Sequence, residues 1–95
     1  MTPETALRRA RRYVWKSRLA PLGWVVIAQD WETGHRVESS TVGFRAACQM
    51  CSDATKVRAG RLLGLDGGEA ASLAYSTRTQ ASWLVAATAR TQPAG

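Results

Sequence analysis

The sequence predicts an α+β domain with a basic N-terminal helix, a β-hairpin, a second amphipathic helix and a third, C-terminal helix. Three patterns support this expectation: apolar residues at helical spacing near both ends, a short β-branched and aromatic run between them, and a glycine-containing turn directly after that run. The chain has 95 residues, of which 45% are hydrophobic and 21% charged, a composition typical of globular proteins. We therefore expect residues 1–95 to form a single small domain.

The first helix is expected from about Pro3 to Leu19. Thr2 is suited to the N-cap and Pro3 to the first helical position, while Pro21 and Gly23 would end the helix. One face of such a helix combines arginines with a tryptophan. The residues of this face are Arg8, Arg11, Arg12 and Trp15, with Arg18 at its edge.

A β-hairpin is expected in the middle of the chain. Residues 23–31 are β-branched and aromatic, residues 32–35 form a turn around Gly34, and residues 36–42 alternate in polarity. Apolar residues occur on both faces of the first strand, so we expect both faces to be at least partly covered. Whether the hairpin edge takes a third strand from another chain is left open at this point.

The second helix is expected from Gly43 to about Ala59, with Gly60 as its stop. Its apolar side carries both cysteines, Cys48 and Cys51, and its opposite, solvent side carries Lys56 among other polar residues. The cysteines have C-x-x-C spacing, but a zinc site needs four ligands. We expect buried, reduced thiols and no metal.

The third helix is expected over residues 69–90, where apolar residues recur at helical spacing. The alternation from Leu73 to Thr79 allows a second interpretation, a strand followed by a short helix. Residues 91–95 are expected to form a disordered tail.

The positive charge is concentrated at the N-terminus. The chain carries a net charge of +6, and residues 1–18 hold six basic residues against Glu4, a net of +5. Such asymmetry indicates a basic segment that meets an acidic partner. The residues expected to contact nucleic acid or another partner are Arg8, Arg9, Arg11, Arg12, Trp15, Lys16, Arg18, Arg36 and Arg45.

No set of residues predicts an enzyme or a cofactor site. His35 is the only histidine and lies in a turn, and nothing places a nucleophile beside it. Asp30 and Glu32 are explained as solubilising charges at the hairpin end. The glycines of residues 64–68 match no phosphate-binding fingerprint. We therefore expect a protein without catalytic, cofactor or metal sites.

Residues 24–60 resemble a known DNA-binding domain. The likeness is carried by Trp24-Val25-Val26-Ile27, then by Thr33-Gly34-His35-Arg36 and Gly43-Phe44-Arg45, and finally by an alanine-rich helix running to Gly60. These motifs are similar to those of the N-terminal arm-binding domain of phage-type tyrosine integrases. That family often shows a T-G-[KR]-R turn followed by G-F-x-T and a helix. The resemblance implies a small antiparallel sheet packed on one helix, with the sheet entering DNA.

The sequence departs from that family in two places. Arg45 and the alanines after it stand where a threonine would cap the helix, and Glu38 and serines stand where the family has lysines and arginines. Because the sheet has few basic residues, the N-terminal helix is the better candidate for contacting DNA.

The favoured hypothesis is a small nucleic-acid-binding protein whose N-terminal arginines contact phosphates. The alternative is a protein-interaction module, such as a phage-type accessory protein that binds an acidic surface of a host protein, because Trp and Arg dominate protein interfaces. A homodimer through the uncovered sheet face or the third helix fits a core this small. No signal-peptide pattern or membrane-spanning run is found, so we expect a cytoplasmic protein without a membrane partner.

Overall fold

The computed structural model describes residues 1–19 and 21–91. The α+β class is confirmed: helices combine with a three-stranded antiparallel sheet. The elements in chain order are α1 (Pro3–Ala10), a 3₁₀ turn (Arg11–Tyr13), β1 (Val14–Leu19), β2 (Gly23–Gln29), β3 (Arg36–Glu38), α2 (Phe44–Leu62), α3 (Gly67–Ser76) and α4 (Gln80–Thr91). The expected disordered tail lies outside the described residues, except for Thr91, which ends α4.

Helix α1 begins as predicted but is much shorter than expected. The side chain of Thr2 accepts a hydrogen bond from the Thr5 amide at 3.2 Å, and Pro3 is the first helical residue. The helix ends at Ala10, so the predicted extension to Leu19 is wrong.

The second half of the predicted helix is strand β1. Val14 and Trp15 are β-branched and aromatic, which favours a strand once a partner is available. β1 pairs antiparallel with β2, from Val14 opposite Ala28 to Leu19 opposite Gly23. The third strand beside the hairpin therefore comes from the same chain, and tertiary pairing overrides the helical spacing of this segment.

The sheet has the strand order β1-β2-β3, and its last strand is shorter than predicted. Beyond β3 the chain returns to β2 at Val42, where Trp24 and Val42 exchange two backbone hydrogen bonds of 2.8 Å. Gly23 precedes this contact with a φ of +126°, and a Cβ atom there would lie 2.8 Å from the Val42 carbonyl oxygen. The tight approach therefore requires glycine.

Helix α2 runs past Gly60, which the sequence had suggested as its stop. A Cβ atom at Gly60 would lie 3.0 Å from the Cβ of Ala70, so this glycine allows α3 to pack closely on α2. The helix ends at Leu62, and Gly64 follows with a φ of +93°, the conformation common just after a helix.

The predicted third helix is two helices, and the alternative strand at Leu73–Thr79 is wrong. Asp66 caps α3 by accepting a hydrogen bond from the Glu69 amide at 2.8 Å. At the other end of α3, Lys56 donates to the carbonyl oxygens of Ala74, at 2.8 Å, and Thr77.

The position of Lys56 corrects the expectation that it faces solvent. Its side chain is fully buried, and it also forms an ion pair with Asp53 at 3.1 Å. All three ammonium protons thus have a partner. A cation is favourable at the carbonyl end of a helix, which explains why this lysine points inward.

Two separate cores stabilise the fold. The first, which we call the helical end, is formed by α1, α3, α4 and the second half of α2; its buried residues are Ala6, Leu7, Ala10, Ala59, Leu73, Trp83 and Ala87. The second, the sheet end, is formed by the strands and the first half of α2; its buried residues are Val14, Val26 and Ala47. Within the described residues, no helix has the length and apolar character needed to cross a bilayer.

Candidate nucleic-acid interface

The residues predicted to form one basic face are divided among separate surfaces. Because the chain changes from helix to strand at Val14, Trp15, Lys16 and Arg18 do not continue the face that begins on α1. In a strand, neighbouring side chains point to opposite sides of the sheet. Trp15 therefore points away from Lys16 and Arg18.

Arg8 and Arg11 lie on the side of α1 that faces α4. They line a small cavity of about 270 Å³ together with Glu4, Leu7 and Leu84. The Arg11 guanidinium donates a hydrogen bond to the side-chain oxygen of Gln80. Of these two arginines, Arg11 thus already has a hydrogen-bond partner within the protein.

Trp15 and Arg36 meet on the face of the sheet opposite to α2. Trp15 pairs with Ile27 in the register of β1 and β2, and Ile27 pairs with Glu38 of β3. The guanidinium carbon of Arg36 lies 5.2 Å from the centre of the Trp15 ring, a cation–π distance. One arginine and one tryptophan are therefore presented here, beside the carboxylate of Glu38.

Lys16, Arg18 and Arg45 lie near the start of α2. The Lys16 ammonium is 5.8 Å from the centre of the Phe44 ring, and Arg45 is the next residue of the helix and is exposed. Arg18 shares the sheet face of Lys16. These cations form a third surface, on the α2 side of the sheet.

Arg9 and Arg12 lie at a groove that sequence reasoning did not anticipate. A cavity of about 480 Å³ is lined by Arg9, Arg12, Tyr13, Trp31 and Leu62. A neighbouring cavity of about 440 Å³ is lined by Asp30, Trp31, Glu32, Val57, Arg58, Arg61 and Leu62. Both cavities share Trp31 and Leu62, and we call the combined feature the Trp31 groove.

Three segments build this groove. Arg9 in α1 and Arg12 in the 3₁₀ turn that follows are three residues apart. Arg58 and Arg61 have the same spacing on α2, and this spacing places helical side chains on one face. Trp31 follows β2 and contacts Tyr13 edge to face, with ring centres 5.8 Å apart.

The turn that carries Trp31 is fixed by Asp30. One carboxylate oxygen of Asp30 accepts hydrogen bonds from the backbone amides of Glu32 and Thr33, each at 2.8 Å. The amides of Thr33 and Glu32, in that order of importance, lower the pKa of Asp30, and the charge of Arg58 acts in the same direction. The carboxylate is therefore charged at neutral pH and holds the turn in place.

The arginines of the groove form no direct ion pair in the described residues. Within residues 1–19 and 21–91 the one ion pair is that of Lys56 with Asp53, so no described arginine pairs with a carboxylate. Four arginines face two carboxylates across the groove. Burial lowers the pKa of Arg58 and Asp30 opposes that shift, but a guanidinium stays protonated at neutral pH.

Sequence reasoning identified part of this site. Its set of contact residues included Arg9 and Arg12, although on a helix that extends too far, and omitted Tyr13, Trp31 and Arg61. Arg58 of α2 is half-buried. The repeated arginine spacing of α1 and α2 was the available signal.

Other candidate groups have structural explanations in the described residues. Cys48 and Cys51 are half-buried and not disulfide-bonded; Cys51 packs against the sheet core, and burial raises its pKa. His35 is exposed in its turn. At the N-terminus of α3 the carboxylate of Asp66 already accepts the Glu69 amide. No group of three or more His, Cys, Asp or Glu side chains is placed to hold a metal in the part described.

The chain matches no protein-family model, no curated protein and no solved structure.

Proposed function

We propose that this protein binds nucleic acid without catalysing a reaction, and that the arginines of the Trp31 groove contact its phosphates. The observation that supports this proposal is the convergence of Arg9, Arg12, Arg58 and Arg61 on one groove without carboxylate ion pairs. A planar guanidinium matches the oxygens of a phosphate and can bond to two of them at once.

The charge of the whole chain supports the same function. The net charge is +6, and a positive surface releases counter-ions from a nucleic acid when it binds. Affinity from this source falls steeply with salt. Trp31 and Tyr13 line the same cavity as Arg9 and Arg12, and aromatic rings beside arginines offer a surface on which bases can stack.

The resemblance to arm-binding domains of integrases favours DNA as the partner. It remains a prediction, because the comparisons provide no relative. The Trp15–Arg36 pair on the sheet face opposite to α2 offers a second contact.

The test is fluorescence anisotropy of labelled DNA at several salt concentrations. Arg9→Ala and Arg12→Ala should each reduce the slope of log K against log[salt] by roughly one unit. Arg90→Ala is the matched control, since it also removes one charge but lies on α4, outside the groove.

Two results would contradict the proposal. If all three variants reduced the slope equally, binding would depend on net charge and not on the groove. If no DNA or RNA bound at roughly 50 mM salt, where phosphate contacts are strong, nucleic-acid binding itself would be refuted.

One further feature favours protein binding as a second candidate function. A mostly apolar groove of about 390 Å³ lies between β3 and α2, lined by Val26, Ala28, Val37, Ser39, Met50, Asp53, Ala54 and Tyr75. Val37 is 56% exposed and Tyr75 is 70% exposed. Exposed apolar side chains beside such a groove are typical of a protein interface.

Self-association is the simplest form of that alternative. Sedimentation equilibrium of the native protein and of Tyr75→Ser would test it. A dimer that dissociates in Tyr75→Ser and persists at high salt would support the apolar groove as an interface. A protein that stays monomeric at all concentrations would show that this groove does not bind a second copy of the chain.

A further inference from the structure

We infer that the Trp31 groove takes an unpaired nucleotide, with its base stacked on Trp31 in the carboxylate-containing cavity and its phosphate between Arg9 and Arg12. This inference rests on the proposed function and names the class of ligand, single-stranded nucleic acid. It is argued from the shape of the groove, the distribution of charge within it and the position of Trp31.

The size of the two cavities in the Trp31 groove favours a ligand with a small group that can enter them. The two cavities of about 480 and 440 Å³ lie within the range of about 300–1,000 Å³ typical of small-ligand sites. A duplex keeps its bases stacked inside and presents only its backbone to such a groove. An unpaired strand can turn a base into it.

The charges assign the phosphate to one cavity. The cavity beside α1 contains Arg9 and Arg12 and no carboxylate among its lining residues. The cavity beside α2 contains Asp30 and Glu32 as well as Arg58 and Arg61. In that cavity the two carboxylates offset the two arginines, whereas the charged residues lining the cavity beside α1 are all cationic, so the cavity beside α1 is the favoured position of a phosphate.

The same carboxylates suit a base. Asp30 is occupied by two backbone amides, whereas the Glu32 side chain is exposed and forms no ion pair within the described chain. A free carboxylate accepts hydrogen bonds from the exocyclic amino groups of cytosine or adenine, and a guanidinium donates to base acceptors. The groove should therefore prefer bases that carry an amino group over thymine.

Trp31 lies where the two cavities meet. The residue lines both of them, and its ring makes an edge-to-face contact with Tyr13. A base in the cavity beside α2 would lie against this ring while its phosphate reached the arginines on the other side.

The experiment compares three labelled probes by anisotropy at one salt concentration: a short mixed-sequence single strand, its duplex, and a thymine homopolymer. We expect the mixed single strand to bind most tightly. Trp31→Ala should weaken its binding by about 5- to 150-fold, the range of one stacked base, and should leave duplex binding unchanged. Phe44→Ala, at an exposed aromatic side chain that lines neither cavity of the groove, is the control and should have no such selective effect.

Trp31→Phe distinguishes a loss of base stacking from a folding defect in Trp31→Ala. It keeps a ring for stacking, so most of the affinity for the single strand should remain. The quenching of tryptophan fluorescence that accompanies binding should be lost, because Trp31 would be the tryptophan under the base. Glu32→Ala should reduce the preference for the mixed strand over the thymine strand.

The outcomes separate this inference from the proposed function. If duplex binds as tightly as single strand, and Trp31→Ala weakens both equally or neither, the inference is wrong while nucleic-acid binding stands. If the arginine variants lose binding but quenching persists in Trp31→Phe, the base does not stack where we place it. If no probe binds, both ideas fail.

Discussion

The helical end and the sheet end of this molecule bury their side chains to very different depths. At the helical end Trp83 and Leu7 are almost entirely shielded from solvent and are surrounded by alanines. At the sheet end Val14 and Val26 are buried, but the larger side chains around them, such as Trp24 and Met50, remain partly accessible. The comparison indicates that the helical end contributes most of the stability and leaves the sheet end free to present side chains.

The difference has a simple geometric cause. Alanines and Gly60 let the helices approach closely, so that one tryptophan fills the space between them. At the sheet end one helix covers one face of three strands, and Phe44 at the start of that helix is more than half exposed. The Trp31 groove lies where the two ends join, since Arg9 belongs to α1, Trp31 follows β2 and Arg58 belongs to α2.

The strongest test of the comparison is Trp83→Ala. Trp83 is 0% exposed, and truncating a buried tryptophan to alanine costs about 3–5 kcal/mol. We expect a loss of this size in the free energy of unfolding measured by urea denaturation. Val85→Ala is the control on the same helix; it is 74% exposed and should change stability by less than about 0.5 kcal/mol.

A loss below about 1 kcal/mol would contradict the central role of Trp83. Its indole nitrogen has no hydrogen-bond partner within the described part of the protein. Trp83→Phe removes this unsatisfied donor along with part of the ring. It should therefore cost less than Trp83→Ala in the same denaturation measurement.

The second test removes the buried cation of the helical end. Lys56→Met keeps most of the side-chain volume but removes the hydrogen bonds to the carbonyls of Ala74 and Thr77. The Ala74 carbonyl still accepts from the Thr77 hydroxyl at 3.2 Å, so the Thr77 carbonyl is the group that loses its partner. We expect a loss of about 1–3 kcal/mol in unfolding free energy, since an unsatisfied buried polar group costs that much. Lys16→Met, at an exposed lysine of the sheet end, should lie within about 0.5 kcal/mol of the native value. A more stable Lys56→Met protein would mean that apolar packing outweighs these hydrogen bonds.

The third test addresses the sheet end directly. Val26→Ala removes two methyl groups from a 6% exposed position, and we expect a loss of about 1–2 kcal/mol by urea denaturation. Because this is smaller than the effect of Trp83→Ala, it sharpens the contrast between the two ends. A loss equal to that of Trp83→Ala would show that the sheet end is as important for stability as the helical end.

The smallest expected effects are on how stability depends on pH. Each end of the molecule contains one carboxyl group that contributes to this dependence. Asp30 at the sheet end and Asp66 at the helical end both have a pKa lowered from the ordinary aspartate value, chiefly because the backbone amides of Thr33 and Glu69, respectively, donate to them. A lowered folded-state pKa adds stability above the unfolded-state pKa, and that stability is lost as the pH falls through the folded-state value.

Stability should thus decline as the pH falls from about 5 to about 2. Asp30→Asn and Asp66→Asn should each make this decline shallower, and the double variant should have the shallowest. Asparagine can still accept from these amides in a turn or at an N-cap, so near neutral pH these variants should lose only the contribution of the charge. An unchanged acid slope in the double variant would show that other carboxyl groups control it.

Local patterns in the sequence predicted the α+β class, the start of α1 and the Gly34 turn. These patterns failed where the conformation or position of a residue depends on partners far away in the sequence. Val14 and Trp15 fit a helix until β2 offers them a pairing partner, and Lys56 belongs on a polar helix face until the end of α3 is placed beside it. The groove was hidden for the same reason: Arg9, Trp31 and Arg58 are far apart in the sequence, and only the packing of α1 and the hairpin on α2 brings them together.

Helix α2 contributes side chains to both cores, Ala47 to one and Ala59 to the other. An element shared in this way makes the two ends interdependent, because neither core can open without disturbing the helix that completes the other. The chain should consequently melt in one cooperative transition. In native-state hydrogen exchange, amides in the middle of α2 should exchange only when the whole molecule unfolds.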